Sequence, residues 1–419
     1  MEKKIITDFE NTLKNSSLND ETEFRKFFFN KFIEKGFPSK KLESWKFSDL
    51  NQIINNNIGK LNFYNDTKKQ NKINESIYIE NLEHNRIVFV NGKLEEINLK
   101  YEDKNKLKVF KENKIENKNL HDNALISLNN AFASNYYKIY IEKNYNVKKP
   151  LIIYHTTNDE LNSTNINIQL NVLLEESSTL KIVDLFNDNS ENNFINIYYN
   201  FDLKKNSVLK NFKIDNLNNN NIKYSFNNIE QDNNSISETF ILSSGSKFIK
   251  NEINCNLKGK YSSAFVNGVF SLNEKKHNEI KTNINHLVEN TKSYQLIKSV
   301  LDNSSKAVYQ GKIYVDQNAQ KTDGYQLSKA ILLNEDSEFN AKPELEIYAD
   351  DVKCSHGSAS GSLNENSIFY LRSRGLNYKE AKNLLIKGFL LDVIEKITDE
   401  EIKKFITITM GLSRWILTI

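Results

Sequence analysis

Apolar residues change their spacing twice along the chain. Over the first sixty residues Ile5, Phe9 and Leu13, then Phe24, Phe27, Phe28 and Phe32, recur at intervals of three and four. That spacing places them on one face of a helix. Gly36 and Pro38 predict the end of the second helix. The polar run Asn51–Glu75 predicts a loop. SIYIE (Ser76–Glu80) and RIVFVNGKL (Arg86–Leu94) predict strands, with a turn at Asn91-Gly92. Ala124–Ser134 predicts a short helix.

From Pro150 to about Tyr348 the pattern alternates apolar with polar, rich in β-branched and aromatic residues and broken by Asn, Asp, Ser and Gly. Pro150 and Pro343 sit near the two ends of this region. Many short strands without helices predict a sandwich, a barrel or a solenoid. An irregular β-helix would take Ile, Val, Leu and Phe inside and Asn and Lys outside. Pattern alone leaves solenoid and sandwich open. After Gly361 the helical period returns. Asn364 predicts a cap, Gly375 a helix end, and Asn377 with Glu380 a capping box. Ala381, Leu384, Leu385, Phe389, Val393 and Ile397 form the stripe of the helix that follows. Thr398 with Glu401 predicts a second capping box, opening a helix through Ile406 and Met410 to Trp415.

Composition narrows the class. The 419 residues suffice for several domains, and 25 Phe with 19 Tyr supply a core. The 57 basic and 54 acidic residues nearly balance, which argues against a nucleic-acid partner. The Asn, Lys and Ile bias reads as an AT-rich coding sequence. Two cysteines, Cys255 and Cys354, make no disulfide framework and predict a reducing compartment. The charged start MEKKIITDFE predicts no leader, and no run approaches the roughly 18–20 apolar residues of a membrane span. The expectation is a soluble, cytoplasmic protein without a membrane partner.

Chemistry concentrates at Lys353-Cys354-Ser355-His356-Gly357. In an extended chain Cys354 and His356 project to one face and could share a soft metal. They supply two ligands where a zinc site or an iron–sulfur cluster takes about four. Three readings stand open: a site completed by another chain, a small buried thiol beside a hydrogen-bonded histidine, and a nucleophile with its base. Asp350 and Asp351 predict a solvated turn or outer acceptors for His356. His277 and His286 predict polar outer-face positions, and Cys255 a core position. In the tail, Phe369, Tyr370, Leu371, Leu390, Leu391 and Trp415 exceed one apolar face. They predict packing onto the β region or a ridge for a partner, beside Arg372 and Arg374.

The stretch Gly311–Ile394, with AQKTD, KPELEI, DDVKCSHG and FYLRSRG, closely resembles the SufB/SufD family of iron–sulfur cluster assembly proteins. Weaker likeness runs through SYQLIKSVL (Ser293–Leu301), and PSKKLESWKFSDL (Pro38–Leu50) resembles the head motif of the SufD branch. KCSHG is the SufD wording, and Lys321–Leu333 lacks the cysteine that SufB carries on a late core strand. The resemblance implies a mostly β fold: a right-handed parallel β-helix flanked by helical domains. The expected divisions are a helical 1–75, a mixed 76–150, a β-helix 151–360 and a helical, ATPase-docking 361–419. It implies a scaffold without turnover of its own, paired with SufB through the β-helices and bound to the SufC ATPase through the tail. It further implies a partial cluster site at His356, with Cys354 beside it, completed by SufB. SufC docking is assigned to Phe369, Tyr370, Arg372, Arg374, Leu385 and Phe389. A homodimer of the isolated chain is also expected. The family links the complex to a transient iron–sulfur cluster and to reduced flavin, though no residue marks a flavin site. Two other readings remain: a β-helix enzyme acting on polysaccharide, and a purely structural interaction protein.

Overall fold

Alternation with period two gives a strand one buried face, and that face must be covered. In the computed structural model, which describes residues 2–14, 19–63, 73, 77–80, 82–112, 122–158 and 161–411, the cover is the chain's own next coil. The head holds α1 (Glu2–Lys14), α2 (Asn19–Lys35) and α3 (Leu50–Asn57). Then come β1 (Asn85–Val90), β2 (Lys93–Asn98), β3 (Leu107–Glu112) and α4 (Ala124–Phe132). Eight coils follow, each giving one strand to either of two sheets. The first four are β4 (Tyr136–Ile141) with β5 (Leu151–Thr157), β6 (Asn165–Leu174) with β7 (Thr179–Asp188), β8 (Phe194–Leu203) with β9 (Val208–Asp215), and β10 (Asn219–Gln231) with β11 (Ile236–Ser243). The last four are β12 (Ser246–Leu257) with β13 (Ser263–Leu272), β14 (His277–His286) with β15 (Lys292–Leu301), β16 (Lys306–Val315) with β17 (Asp323–Leu332), and β18 (Glu338–Ile347) with β19 (Lys353–Gly361). The tail is α5 (Glu365–Ser373), α6 (Tyr378–Ile394) and α7 (Glu400–Thr409).

Even-numbered strands from β4 to β18 form one parallel stack and odd-numbered strands from β5 to β19 the other, so the fold is a parallel β-solenoid. Antiparallel β3 and β2 begin the two sheets. Inward side chains such as Ile153, Ile182, Ile241, Ile280 and Ile297 fill the space between the sheets. The head and α4 cover the outer face of the even sheet through Phe194, Tyr198, Tyr224 and Phe248. The tail covers the outer face of the odd sheet through Leu390, Val393, Ile394, Ile402 and Ile406.

Asparagine has two structural uses here. At coil corners Asn144, Asn206, Asn234 and Asn290 adopt φ of 56–61°, a conformation Asn tolerates better than most residues. On the even sheet Asn228, Asn254 and Asn283 pass hydrogen bonds of 2.8–2.9 Å from coil to coil, ending on Asn200.

The head motif is a clamp. Trp45 and the Ser44 carbonyl hold Lys250, which is fully buried and bonded to Glu279 at 2.6 Å. Burial pushes the Glu279 pKa up, but Lys250 and His277 outweigh it and bring it to about 2. A second buried charge sits inside the solenoid. Asp184 accepts from Lys213 at 2.8 Å and from Tyr199 at 2.5 Å, with His155 at 3.0 Å. Burial again acts upward, and Lys213 and His155 overcome it, giving about 2.

Three local expectations are corrected. Asn51–Asn57 is helical, not loop, because Leu50 and Ile54 pack fully buried one turn apart and Asp49 caps Gln52 at 2.9 Å. Within SIYIE, Ile77–Glu80 is no strand; Tyr78 and Ile79 pack on the tail cluster, and Ile79 N donates to the Tyr154 hydroxyl. The last helix is capped by Asp399 rather than Thr398, whose hydroxyl donates to Glu238 at 3.0 Å. Pro343 lies within β18, where a terminal strand with one free side tolerates it. Gly36 (φ 66°), Asn364, Gly375 (φ 100°) and the Asn377–Glu380 box act as expected. Residues 58–63 follow α3 without helix, and the predicted loop's 64–72 and 74–75, like Trp415, lie outside the described residues.

Replacing Lys213 with Met takes the buried Asp184 carboxylate's main counter-charge and leaves it only Tyr199 and His155, and the expected loss is on the order of 3 kcal/mol in a denaturant titration. Because the Asp184 pKa is lower in the folded chain than its ordinary 3.8, its contribution is complete above that value and disappears as pH falls toward 2. The difference in stability between wild type and Lys213→Met should therefore shrink over that interval.

Candidate metal centre at the open end

In-register stacking turns each inward position into a column. One column runs Ile182, Asn211, Thr239, Val266, Gln295, Gln326 and His356. Its neighbour runs Leu180, Leu209, Ser237, Ala264, Ser293, Gly324 and Cys354. Cys354 and His356 therefore share a face, as alternation predicts. That face continues the interior of the solenoid, but β18 and β19 end their sheets, and among the described residues no further coil covers them. His356 is exposed and Cys354 half-buried, whereas Gln326 one coil below is fully buried.

Two residues beneath explain the fit. Gly324 lies under the thiol, which settles against Ile313 and the small cluster of Val315, Ala319 and Ala349. Gln326, below His356, lies 3.3 Å from the Tyr309 hydroxyl, which also donates to Gln295 at 3.0 Å. Gly311 makes room for this group: a Cβ there would meet Gln326 Oε1 and the Tyr309 hydroxyl at 2.3 Å. These supporting residues were invisible to a reading by motif. The in-register period of the coils is the signal that places them.

Burial raises the Cys354 pKa above the ordinary thiol value. A metal at this thiol would have to displace a proton. Among the described residues no three His, Cys, Asp or Glu side chains stand close enough to hold a metal ion. Asp350 and Asp351 belong to the turn before β19, where Asp351 N donates to Gln320 Oε1 at 2.9 Å.

The other chemical residues separate. His277 and His286 are an odd number of positions apart on β14 and face opposite ways. His286 is thus an interior residue, not an outer one. Thr291 and Ser293 bond its two nitrogens at 2.7 and 2.9 Å, and burial lowers its pKa to about 3. His277 stays on the outer face beside Glu279 at 2.9 Å. Cys255 is core, its thiol pushed up to about 12 by burial.

On the tail, Ile368 anchors α5 and leaves Phe369 73% and Tyr370 57% exposed, with Arg374 over the Tyr370 ring at 5.3 Å. Arg372 and Arg374 are exposed and Leu385 is half-exposed. Phe389 turns toward the solenoid, its ring 4.4 Å from Lys298 Nζ. The buried stripe of α6 is Ala381, Leu390, Val393 and Ile394, so Leu390 is core and Leu384 is not. Tyr378, at the start of α6, is also exposed.

Residues 154–389 match the model of the SufBD core domain, described as SUF system FeS cluster assembly, and residues 3–153 match the SufBD protein N-terminal region. The chain belongs to the SufBD family. Its assigned system is therefore iron–sulfur cluster assembly, and its wording is SufD-like. It is 45% identical over 75 residues to the iron–sulfur cluster assembly protein SufD of Escherichia coli, covering 18% of each chain. It is 48% identical over 65 residues to a SufBD family protein of Synechocystis, covering 16% of this chain and 14% of the relative. The chloroplastic protein ABCI7 of Arabidopsis thaliana matches at 48% over 64 residues, 15% of this chain and 14% of the other. These matches span less than a fifth of each curated relative. Among the described residues no helix is long and apolar enough to cross a membrane.

The two thiols should differ under native alkylation. Iodoacetamide is expected to modify Cys354 slowly at pH 7.5 and faster as pH rises past the ordinary thiol value, while Cys255 reacts only on unfolding; mass spectrometry of the two peptides reads both rates. Gly311→Ala should displace the Tyr309–Gln326 pair and lower stability by about 1–3 kcal/mol in chemical denaturation.

Proposed function

We propose that this SufBD-family chain is a scaffold subunit, without turnover of its own, that supplies half of a cluster-assembly site. The observation that carries the reading is the uncovered last coil. A terminal strand presents unpaired backbone groups and is a template for another chain. In this reading the other chain is SufB, seated on the β18–β19 end, and the cluster is cargo assembled between the two. His356 contributes an imidazole nitrogen and Cys354 a thiolate once its proton is lost. SufB supplies the remaining donors and delivers the sulfur.

The absence of a three-donor cluster among the described residues supports a site that is partial by construction. The same edge would allow two copies of this chain to pair when SufB is missing. The exposed Phe369 and Tyr370 of α5, with Arg372 and Arg374 on the same segment, are proposed to dock the SufC ATPase. Aromatic residues with arginine are the side chains that dominate binding energy at interfaces. ATP-driven pairing of two SufC subunits would then move the tails and reshape the interface. Because α6 and α7 pack on the odd sheet through Leu390, Val393, Ile402 and Ile406, such motion has a mechanical route to the strands.

The test is co-expression with SufB and SufC followed by anaerobic reconstitution with iron and sulfide. His356→Ala should lower cluster absorbance per complex several-fold while the three subunits still co-purify; unchanged absorbance removes the ligand role. Phe369→Ala with Tyr370→Ala should weaken SufC binding by at least about tenfold, and undiminished SufC in the pull-down contradicts the docking assignment.

A further inference from the structure

A recess of about 600 Å³ lies between the outer face of the odd sheet and the junction of α6 with α7. That volume suits a small-molecule site. One wall is a ladder of rings from three consecutive coils, Phe265, Tyr294 and Tyr325, set in one outward column by the register of β13, β15 and β17. The first two rings are 6.2 Å apart with planes 13° from parallel, and the third follows at 6.3 Å. Tyr294 remains 40% exposed, so the ladder does not close on itself.

Charge is uneven across the recess, with Lys298 and Lys329 on the same sheet face as the rings and Asp392 and Lys396 facing them from the end of α6. Lys298, Lys329, Lys396 and Asp392 all line the recess. Lys298 Nζ, buried, donates to Asp392 at 2.7 Å and to the Phe389 carbonyl at 2.9 Å. The hydrogen bond and charge of Lys298 hold the Asp392 pKa low, and Lys396 and Lys329 add to the effect, so all three cations surround one carboxylate. Among the described residues Lys329 and Lys396 have no carboxylate within ion-pair distance. At the far side Glu238 is engaged by Lys210 and the Thr398 hydroxyl, and Asp323 accepts from Tyr294. The recess thus joins an aromatic wall to a pole with two positive charges in excess.

We infer that this recess binds an aromatic anion of mononucleotide size, its ring against Tyr294 and Tyr325 and its negative group at Lys329 and Lys396. Stacking on an aromatic platform beside free cations is a general means of holding such molecules. The inference does not rest on the cluster-scaffold reading. A bound molecule would bridge tail and solenoid through Lys396, since Tyr294, Tyr325 and Lys329 belong to the solenoid and Lys396 to the tail.

The experiment is isothermal titration of the full chain at low salt with adenosine 5′-monophosphate. Adenosine (ring without charge) and ribose 5-phosphate (charge without ring) are the controls. Saturable one-to-one binding of the nucleotide, at least about tenfold tighter than either fragment, is expected. Tyr294→Ala, and Lys329→Glu with Lys396→Glu, should each weaken it by about tenfold or more, with melting temperature held near that of the parent chain. No saturable nucleotide binding, equal binding of ribose 5-phosphate, or binding unaffected by both variants overturns the assignment. A face that instead serves a protein partner would give the first of these results.

Discussion

In-register parallel stacking is the constraint on which the rest depends. Each coil of the solenoid buries the inward side chains of the coil before it, so exposure is decided by position in the stack rather than by residue type. Gln295 and Gln326 are as buried as the aliphatic residues beside them. His356, one coil further along the same column, is open. The reactive residues are accessible because the stack stops there. What places a histidine and a thiol together on that end is the period-two alternation of one strand.

The same geometry governs charge. A lysine or carboxylate inside a solenoid meets its neighbours only along columns and across the lumen. Inside, Asp184 is answered by Lys213 in the next coil; on the outer face beneath the head, Lys250 is answered in the same way by Glu279 in the next coil. Both pairs also touch an aromatic ring, Tyr199 for Lys213 and Trp45 for Lys250. Such pairs add little net stability over an apolar core, but breaking one is expensive, and they resist slippage of register. Lys250 also ties the head motif to the sheet, and Glu43 of the same motif reaches Gln310 on β16 and Lys342 on β18, so this distinctive sequence element braces the even sheet as far as its last coil.

How much was legible in the sequence follows from the range of the forces. Alternation marked the β region, and the caps at Asn364 and Asn377 were local enough to read directly. The polar Asn51–Asn57 was misread because two leucine-type anchors one turn apart, seen only against the even sheet, outweigh its composition. His286 was misplaced because which face of β14 points inward is fixed by its neighbours in β12 and β16, not by its own residues. The abundance of asparagine, taken as coding bias, turned out to serve corners and amide ladders whose partners lie about a coil away. Cys354 and His356 were found by motif and by resemblance. The Gly311, Tyr309 and Gln326 support was not, since it exists only across strands.

In the proposed scheme this chain donates a ligand to a cluster whose other donors belong to SufB. The most direct measurement is pulsed electron paramagnetic resonance on a reduced cluster in the assembled complex, with ¹⁵N-histidine in this chain alone. A His356 ligand gives a ¹⁵N hyperfine coupling that disappears in His356→Ala. A paramagnetic cluster with no ¹⁵N coupling from the labelled chain would contradict it.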